Sequence, residues 1–190
     1  MKIYIDQGHN PQNPNAGAEG NGLREQDITF EVGRQLADLL TADGRFEVRL
    51  SRPDSTTQLG TSNATSLAAR VNDANNWGAD YFISIHANAS ENAAVSGSEA
   101  YVYAALSRAY ELADELLDGL NDTTGLRDRG VRINRGLYVL RRTRMPAVLV
   151  ELGYITNAYD ANLMNTRPDL FAQGLYDGIL EYFDLDDADD

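Results

Sequence analysis

The 190-residue chain contains two histidines, and their settings match. His9 follows the apolar run Lys2–Asp6 through Gln-Gly, and His86 closes the run Tyr81–Ile85. Both runs read as core strands, so both imidazoles fall at or just past a strand's carboxyl end, where open α/β sheets bind ligands. A lone histidine there is more often a satisfied structural residue. Two placed alike, with none spent elsewhere, indicate a site. The chain has no cysteine, so a metal held here would be bound by imidazole and carboxylate alone. That donor set suits catalytic zinc, which commonly takes two His and one carboxylate and keeps a fourth position for water.

Carboxylates for such a site are of two kinds. Glu25, in Asn21-Gly22-Leu23-Arg24-Glu25-Gln26-Asp27, stands at the expected start of the first helix and close in sequence to the His9 loop. An acid there also complements the positive helix N-terminus, with no ligand involved. Glu19 and Asp27 rival it on position alone. Glu151 is different, because it is a charge inside the apolar strand Val148-Leu149-Val150-Glu151-Leu152. Burying a carboxylate costs several kcal/mol unless something compensates. Either a nearby arginine pairs with it, or it serves as a general base beside a metal-activated water. Its place near the end of a core strand, like those of His9 and His86, favours the base.

The elements that must position these groups follow from the hydrophobic pattern. Lys2–Asp6, Phe46–Ser51, Tyr81–His86 and Ala147–Leu152 read as buried strands, with Ser98–Tyr103 and Leu137–Leu140 as shorter candidates nearer an edge. Ile28, Val32, Leu36, Leu39 and Leu40 share one helical face that ends near Gly44. Leu67, Val71 and Ala74 mark a second helix with Gly78 as its stop, and Leu112, Leu116, Leu117 and Leu120 a third, closed by Gly125. The last helix opens at Pro168 and turns Phe171, Leu175 and Ile179 inward. Strands alternating with helices predict an α/β fold: an open, twisted, mainly parallel sheet with helices on both faces. One domain over residues 1–183 is expected, with residues 184–190 as an acidic tail or the start of a linker.

Bulk properties exclude several classes. No apolar run is long enough for a membrane span, and the residues after Met1 read as a strand where a signal peptide would show an apolar run. A net charge of −13 argues against nucleic-acid binding, which needs a clustered basic surface. Seven of the sixteen basic residues nevertheless lie between Arg127 and Arg144. They are either salt-bridge partners for the acidic remainder or ligand contacts.

Four motifs occur in order: Ile-Asp-Gln-Gly-His, Asn-Gly-Leu-Arg-Glu-Gln-Asp, Ile-Ser-Ile-His-Ala-Asn-Ala and Pro-Ala-Val-Leu-Val-Glu-Leu-Gly-Tyr-Ile-Thr-Asn. Together they resemble the amidase-3 family, the N-acetylmuramoyl-L-alanine amidases of bacterial cell-wall hydrolases and phage endolysins. The likeness runs from Lys2 to about Phe183. It implies one zinc ion bound by His9, Glu25 and His86, with Glu151 as the catalytic acid and base. It also implies peptidoglycan as the substrate, cut between N-acetylmuramic acid and L-alanine by a secreted or phage-released protein. One departure is visible: the family often has Pro-Gly-His-Gly-Gly where this chain reads Gln7-Gly8-His9-Asn10-Pro11, which changes the loop but leaves the ligand. A zinc peptidase acting on the stem peptide, or a non-catalytic wall-binding module of the same fold, are the competing readings. The acidic surface predicts weak retention on anionic walls, so a separate wall-binding domain is expected.

Weaker signals remain. Asn88, two residues after His86, is a candidate substrate contact or a turn residue, and Asn157 reads as a helix cap. Arg70, on the second helix, is expected in a surface or interhelical salt bridge. Gly8, Gly17, Gly20 and Gly22 leave the first loop conformationally free, as a cleft floor requires.

Overall fold

The computed structural model describes residues 1–185. Of the expected acidic tail, residues 184–190, those from 186 onward lie outside the described residues, whereas the amides of Asp184 and Leu185 donate back to the carbonyls of Glu181 and Leu180. In chain order the elements are β1 (Lys2–Gln7), β2 (Glu19–Gly20), β3 (Leu23–Arg24), α1 (Glu25–Asp43), β4 (Glu47–Leu50), α2 (Asn63–Trp77), β5 (Tyr81–Asn88), β6 (Ser98–Val102), α3 (Arg108–Thr124), β7 (Asp128–Ile133), α4 (Tyr138–Arg142), β8 (Ala147–Tyr154), α5 (Ala158–Thr166) and α6 (Pro168–Tyr182). Six strands form one sheet in the order β4-β1-β5-β8-β6-β7, and β2 pairs with β3 in a small separate ribbon. Every neighbouring pair in the large sheet is parallel except β6 with β8. The α/β class with a mainly parallel sheet is therefore as the sequence predicts.

Strands β1, β5 and β8 are apolar on both sides because both faces are covered. On one face Ile3, Ile5, Ile83, Ile85, Val148 and Val150 pack against α1, α3 and α6 through residues such as Leu36, Leu116 and Leu175. On the other, Tyr4, Phe82 and Leu149 meet Val71 and Ala74 of α2 and Val139 and Leu140 of α4. Helices stop where glycine allows a left-handed residue: Gly44, Gly78 and Gly125 all adopt positive φ at the ends of α1, α2 and α3. Asn157 caps α5, accepting hydrogen bonds from the amides of Tyr159 and Asp160.

One expectation fails. Leu137–Leu140 is not an edge strand, because Tyr138–Arg142 forms the short helix α4. Its adjacent Val139 and Leu140 are both buried, where a half-covered strand would alternate, and Arg141 and Arg142 occupy the last turn, the favoured place for cations. The edge strand is instead β7, within the basic stretch, whose sequence Asp-Arg-Gly-Val-Arg-Ile shows no apolar alternation.

The register sets the site. His86 of β5 pairs with Glu151 of β8, and Glu151 pairs in turn with Glu99 of β6. The three residues form one row across adjacent strands near the carboxyl ends of β5 and β8.

Candidate active site

His9 leaves the end of β1 in a left-handed conformation, φ 67°, which a residue with a side chain adopts only when its surroundings impose it. Those surroundings are specific. The Gly8 amide donates to the Ile85 carbonyl at 2.9 Å, and Thr29 Oγ1 donates to the Gly8 carbonyl at 2.8 Å. Arg70 Nη2 donates to the His9 carbonyl, and Arg52 Nη1 approaches the same oxygen at 3.4 Å. Gly8 must be glycine here, since a Cβ would sit 2.6 Å from both the His86 ring and the Ile85 carbonyl oxygen.

Arg70 is only 1% exposed, so the expectation of a surface or interhelical salt bridge is wrong. Its Nη1 donates to Asp6 Oδ1 at 2.6 Å and to the Gln7 carbonyl at 2.6 Å, and Nη2 reaches Asn10 Oδ1 at 3.2 Å. Asp6 also accepts from Ser84 Oγ at 2.7 Å. Burial alone would push the Asp6 carboxyl up, but Arg70 and Ser84 outweigh it and hold Asp6 below the usual carboxylate range. Asn10 stands where the resembled motif has glycine. Its amide bonds the carbonyls of Pro14 and Leu59 and the Leu59 amide, tying the His9 loop to the segment after β4.

Glu25 is the first residue of α1 and 4% exposed. Its Oε1 lies 2.9 Å from His86 Nδ1 and 3.1 Å from His9 Nε2, and it also accepts from the Ala87 amide at 3.1 Å. Oε2 accepts from the Ala18 amide at 2.9 Å. Desolvation raises its pKa, but hydrogen bonds and charge from both histidines prevail and set it well below the ordinary value. Gly17 makes room for this carboxylate, since a Cβ there would stand 2.7 Å from Oε2. The rival acids point elsewhere: Asp27 pairs with Arg24 at the surface, and Glu19 is exposed on β2.

Ligand atoms of His9, Glu25 and His86 all lie within 4.8 Å of one another. The donors are two imidazoles and one carboxylate, and the buried His9 Nδ1 has no hydrogen-bond partner. The three side chains fit a small divalent cation of zinc's ligand preference. Beside them, Glu151 Oε2 is buried with no hydrogen-bond partner, and among the described residues no arginine pairs with Glu151. Burial, reinforced by the charges of Glu25 and Glu99, pushes its carboxyl up to about 8.

The sequence pattern alone does not single out Glu99, although it carries the same signal as Glu151, a charge within a strand. Glu99 is 2% exposed, and its Oε1 accepts from Asn88 Nδ2 at 2.8 Å and Tyr101 Oη at 2.7 Å. Asn88 is thus turned toward Glu99. Arg129 and Arg132, from the basic stretch, meet Glu99 Oε2 at 3.3 and 3.2 Å.

The sequence profile of the family described as N-acetylmuramoyl-L-alanine amidase, Amidase_3, matches residues 3–181. The chain belongs to this amidase family. Among curated relatives, the amidase LytC of Bacillus subtilis is 38% identical over 95% of the chain, and a sporulation-specific amidase of the same organism 34% identical over 97%. The chain spans about a third of LytC (35%) and 69% of the second relative. The solved catalytic domain of CwlV, an amidase from Bacillus (Paenibacillus) polymyxa, superposes with a TM-score of 0.84 at 34% identity, covering 98% of this chain and 99% of that one. The amidase fold thus accounts for the whole described sheet, and the His9–Glu25–His86 cluster opens at its carboxyl edge.

Proposed function

We propose that residues 1–183 are one catalytic unit that hydrolyses the amide between N-acetylmuramic acid and the L-alanine of the stem peptide, with a zinc ion held by His9, Glu25 and His86. One observation carries the reading: Glu151, whose Oε2 is buried and unpartnered, stands in register beside a two-imidazole, one-carboxylate cluster on the sheet edge of an amidase-family chain. Neither a structural ion pair nor a wall-binding module accounts for leaving that acid unsatisfied.

His9, Glu25 and His86 would hold the zinc, which would supply Lewis-acid polarisation of the scissile carbonyl and acidify the attacking water. Glu151 takes the proton from the attacking water as its oxygen bonds to the lactyl carbonyl carbon. It then delivers that proton to the L-alanine nitrogen as the C–N bond breaks, so one carboxyl serves as base and acid in turn. Glu25 is kept ionised by the two histidines and remains a ligand. Arg70 and Arg52 hold the His9 carbonyl, fixing the loop from which the imidazole projects.

Acting on the cell wall places the substrate outside the membrane, and no helix among the described residues is long and apolar enough to cross one. Digestion of purified peptidoglycan tests the proposal. New L-alanine amino groups should appear while glycan reducing ends stay constant, chelation should stop the reaction, and elemental analysis should find one zinc per chain. New reducing sugars would indicate a glycosidase, internal stem-peptide cuts a peptidase, and full activity without metal would end the zinc assignment.

A further inference from the structure

Glu99 carries one negative charge, yet it is met by two guanidinium groups besides the hydroxyl of Tyr101 and the amide of Asn88. Neutralising a buried acid needs one cation, so one arginine is surplus. The two differ in how firmly they are held. Arg129 is a quarter exposed, donates also to the Ser96 carbonyl at 3.3 Å, and lies 5.4 Å over the Tyr154 ring. Arg132 is half exposed, and its 3.2 Å approach to Glu99 Oε2 is its one polar contact among the described residues. The rest of its planar donor fork has no protein partner among them, and its backbone lies in the row of Tyr101 and Leu149, two residues from the row of His86, Glu151 and Glu99.

Position and field add to this. Arg132 pairs with Tyr101 across β6 and β7, two residues after Glu99 on that strand, so its side chain reaches back to Glu99 from the β7 side. Of the seven cations between Arg127 and Arg144, Arg129 and Arg132 lie on β7 and meet Glu99, whereas the backbone of Arg142 and Arg144 is tied to Asn75 near the end of α2, so the positive feature on this flank is the β7 pair. The opposite flank is different. Beyond His9, the segments Pro11–Pro14 and Ser55–Thr61 line a pocket of about 600 Å³ with amides and hydroxyls, and Arg24, its one cation, is already paired with Asp27. The substrate has a matching asymmetry: N-acetylated sugars are neutral, whereas the stem peptide carries free carboxylates.

We infer that Arg132, steadied by Glu99, is a carboxylate-recognising residue for the stem peptide, which lies over β6 and β7 while the glycan lies over the His9 side. The inference rests on the amidase reading and assigns it a direction along the cleft. Arginine suits the task because its fork matches carboxylate geometry, and its partner Glu99 orients the group without occupying all its donors.

The test uses N-acetylmuramoyl-L-alanyl-D-glutamate with free carboxylates and the same compound as its diamide, with whole peptidoglycan digested in parallel. The wild-type chain should show about tenfold higher kcat/KM on the diacid, the scale of one charge-assisted hydrogen bond. Arg132→Gln should raise KM for the diacid by about tenfold, leave kcat and the diamide unchanged, and weaken the salt dependence. Arg132→Lys should recover part of the preference, and Arg141→Gln, an exposed cation on α4, should leave it intact. Equal handling of diacid and diamide by the wild type, or an equal effect of Arg132→Gln on both, would overturn the assignment while leaving the amidase reading in place. Failure to release L-alanine amino groups from any of the three substrates would instead defeat the amidase reading itself.

Discussion

At the His9 end of the cleft, Arg70 meets Asp6, Gln7, His9 and Asn10, Asp6 also meets Ser84, and Arg52 reaches the same His9 carbonyl. Two strands away, Glu151 is half-buried as a residue, yet its Oε2 is buried and meets nothing. Both regions place charge in the same sheet, but one saturates it and the other leaves it open. The physical outcomes are opposite: Asp6 is held below its ordinary pKa, whereas Glu151 is raised to about 8. Saturation fixes His9 in a backbone conformation it would not otherwise keep. An unsatisfied acid keeps a lone pair and a proton available. Holding and reacting therefore call for different surroundings, and the register of β1, β5 and β8 supplies both within one sheet edge.

The largest break in that contrast should come from Glu151→Gln. The amide is nearly isosteric, so packing in β8 should change little, but it cannot accept the water's proton. A loss of ~10²–10⁴ in kcat is expected, with zinc content and melting temperature retained. Near-normal turnover would remove Glu151 from the chemistry. Glu25→Gln and His9→Ala should fail in another way, by losing metal. Loss of an outer partner alone costs roughly 10–100-fold in affinity, and loss of a ligand should cost at least that. Zinc stoichiometry measured beside rate separates the two roles. If Glu151→Gln lost its metal and Glu25→Gln kept it, they would have to be exchanged.

Much of this was legible because the signals are local. His9 and His86 end apolar runs, Glu151 interrupts one, and Gly44, Gly78 and Gly125 close helical stripes. What stayed hidden depends on partners distant in sequence. Arg70 lies 64 residues from Asp6, and its role follows from α2 packing beneath β1. A hint existed, since Arg70 falls on the same buried face of its helix as Val71 and Ala74. Strand β7 was invisible because an edge strand rich in arginine has no apolar face to alternate, and α4 was misread because four residues are too few to separate the two periods. The choice of Glu25 over Glu19 and Asp27 was open on position, since helix-start acids are common; only the shared approach to both imidazoles distinguishes it.

Removing the clamp tests the saturated region. Arg70→Ala would leave Asp6 buried without its cation, and breaking such a pair typically costs about 3–5 kcal/mol. The melting temperature should fall by roughly 2–4 °C for each kcal/mol in a chain of this size. Asp6→Asn with Arg70 intact should also destabilise. If neither variant shifts the melt, the clamp is not contributing to stability. Zinc affinity measured below the melting temperature should also weaken in Arg70→Ala, because His9 loses the donor that holds its carbonyl.

The smallest effect is a pH dependence of opposite sign in the two regions, read by thermal melts of the metal-free protein in chelator. Glu151 has a folded pKa raised from 4.5 to about 8, so the folded state binds the extra proton between those values. Its contribution is complete below about pH 4.5 and is lost as pH rises through about 8. Asp6 is depressed below 3.8 in the folded state, so its contribution is present above the ordinary value and is lost as pH falls through the lower folded one. The melt should therefore drop on the acid side through Asp6 and decline between about pH 5 and 8 through Glu151. At about 1.4 kcal/mol per pH unit and roughly 2–4 °C per kcal/mol, the second slope amounts to about 3–6 °C per unit. Glu151→Gln, which cannot ionise, should flatten that slope while leaving the acid limb in place. An unchanged slope in the variant would mean that Glu151 is already ionised in the metal-free fold, and the contrast between a saturated and an open acid would fail.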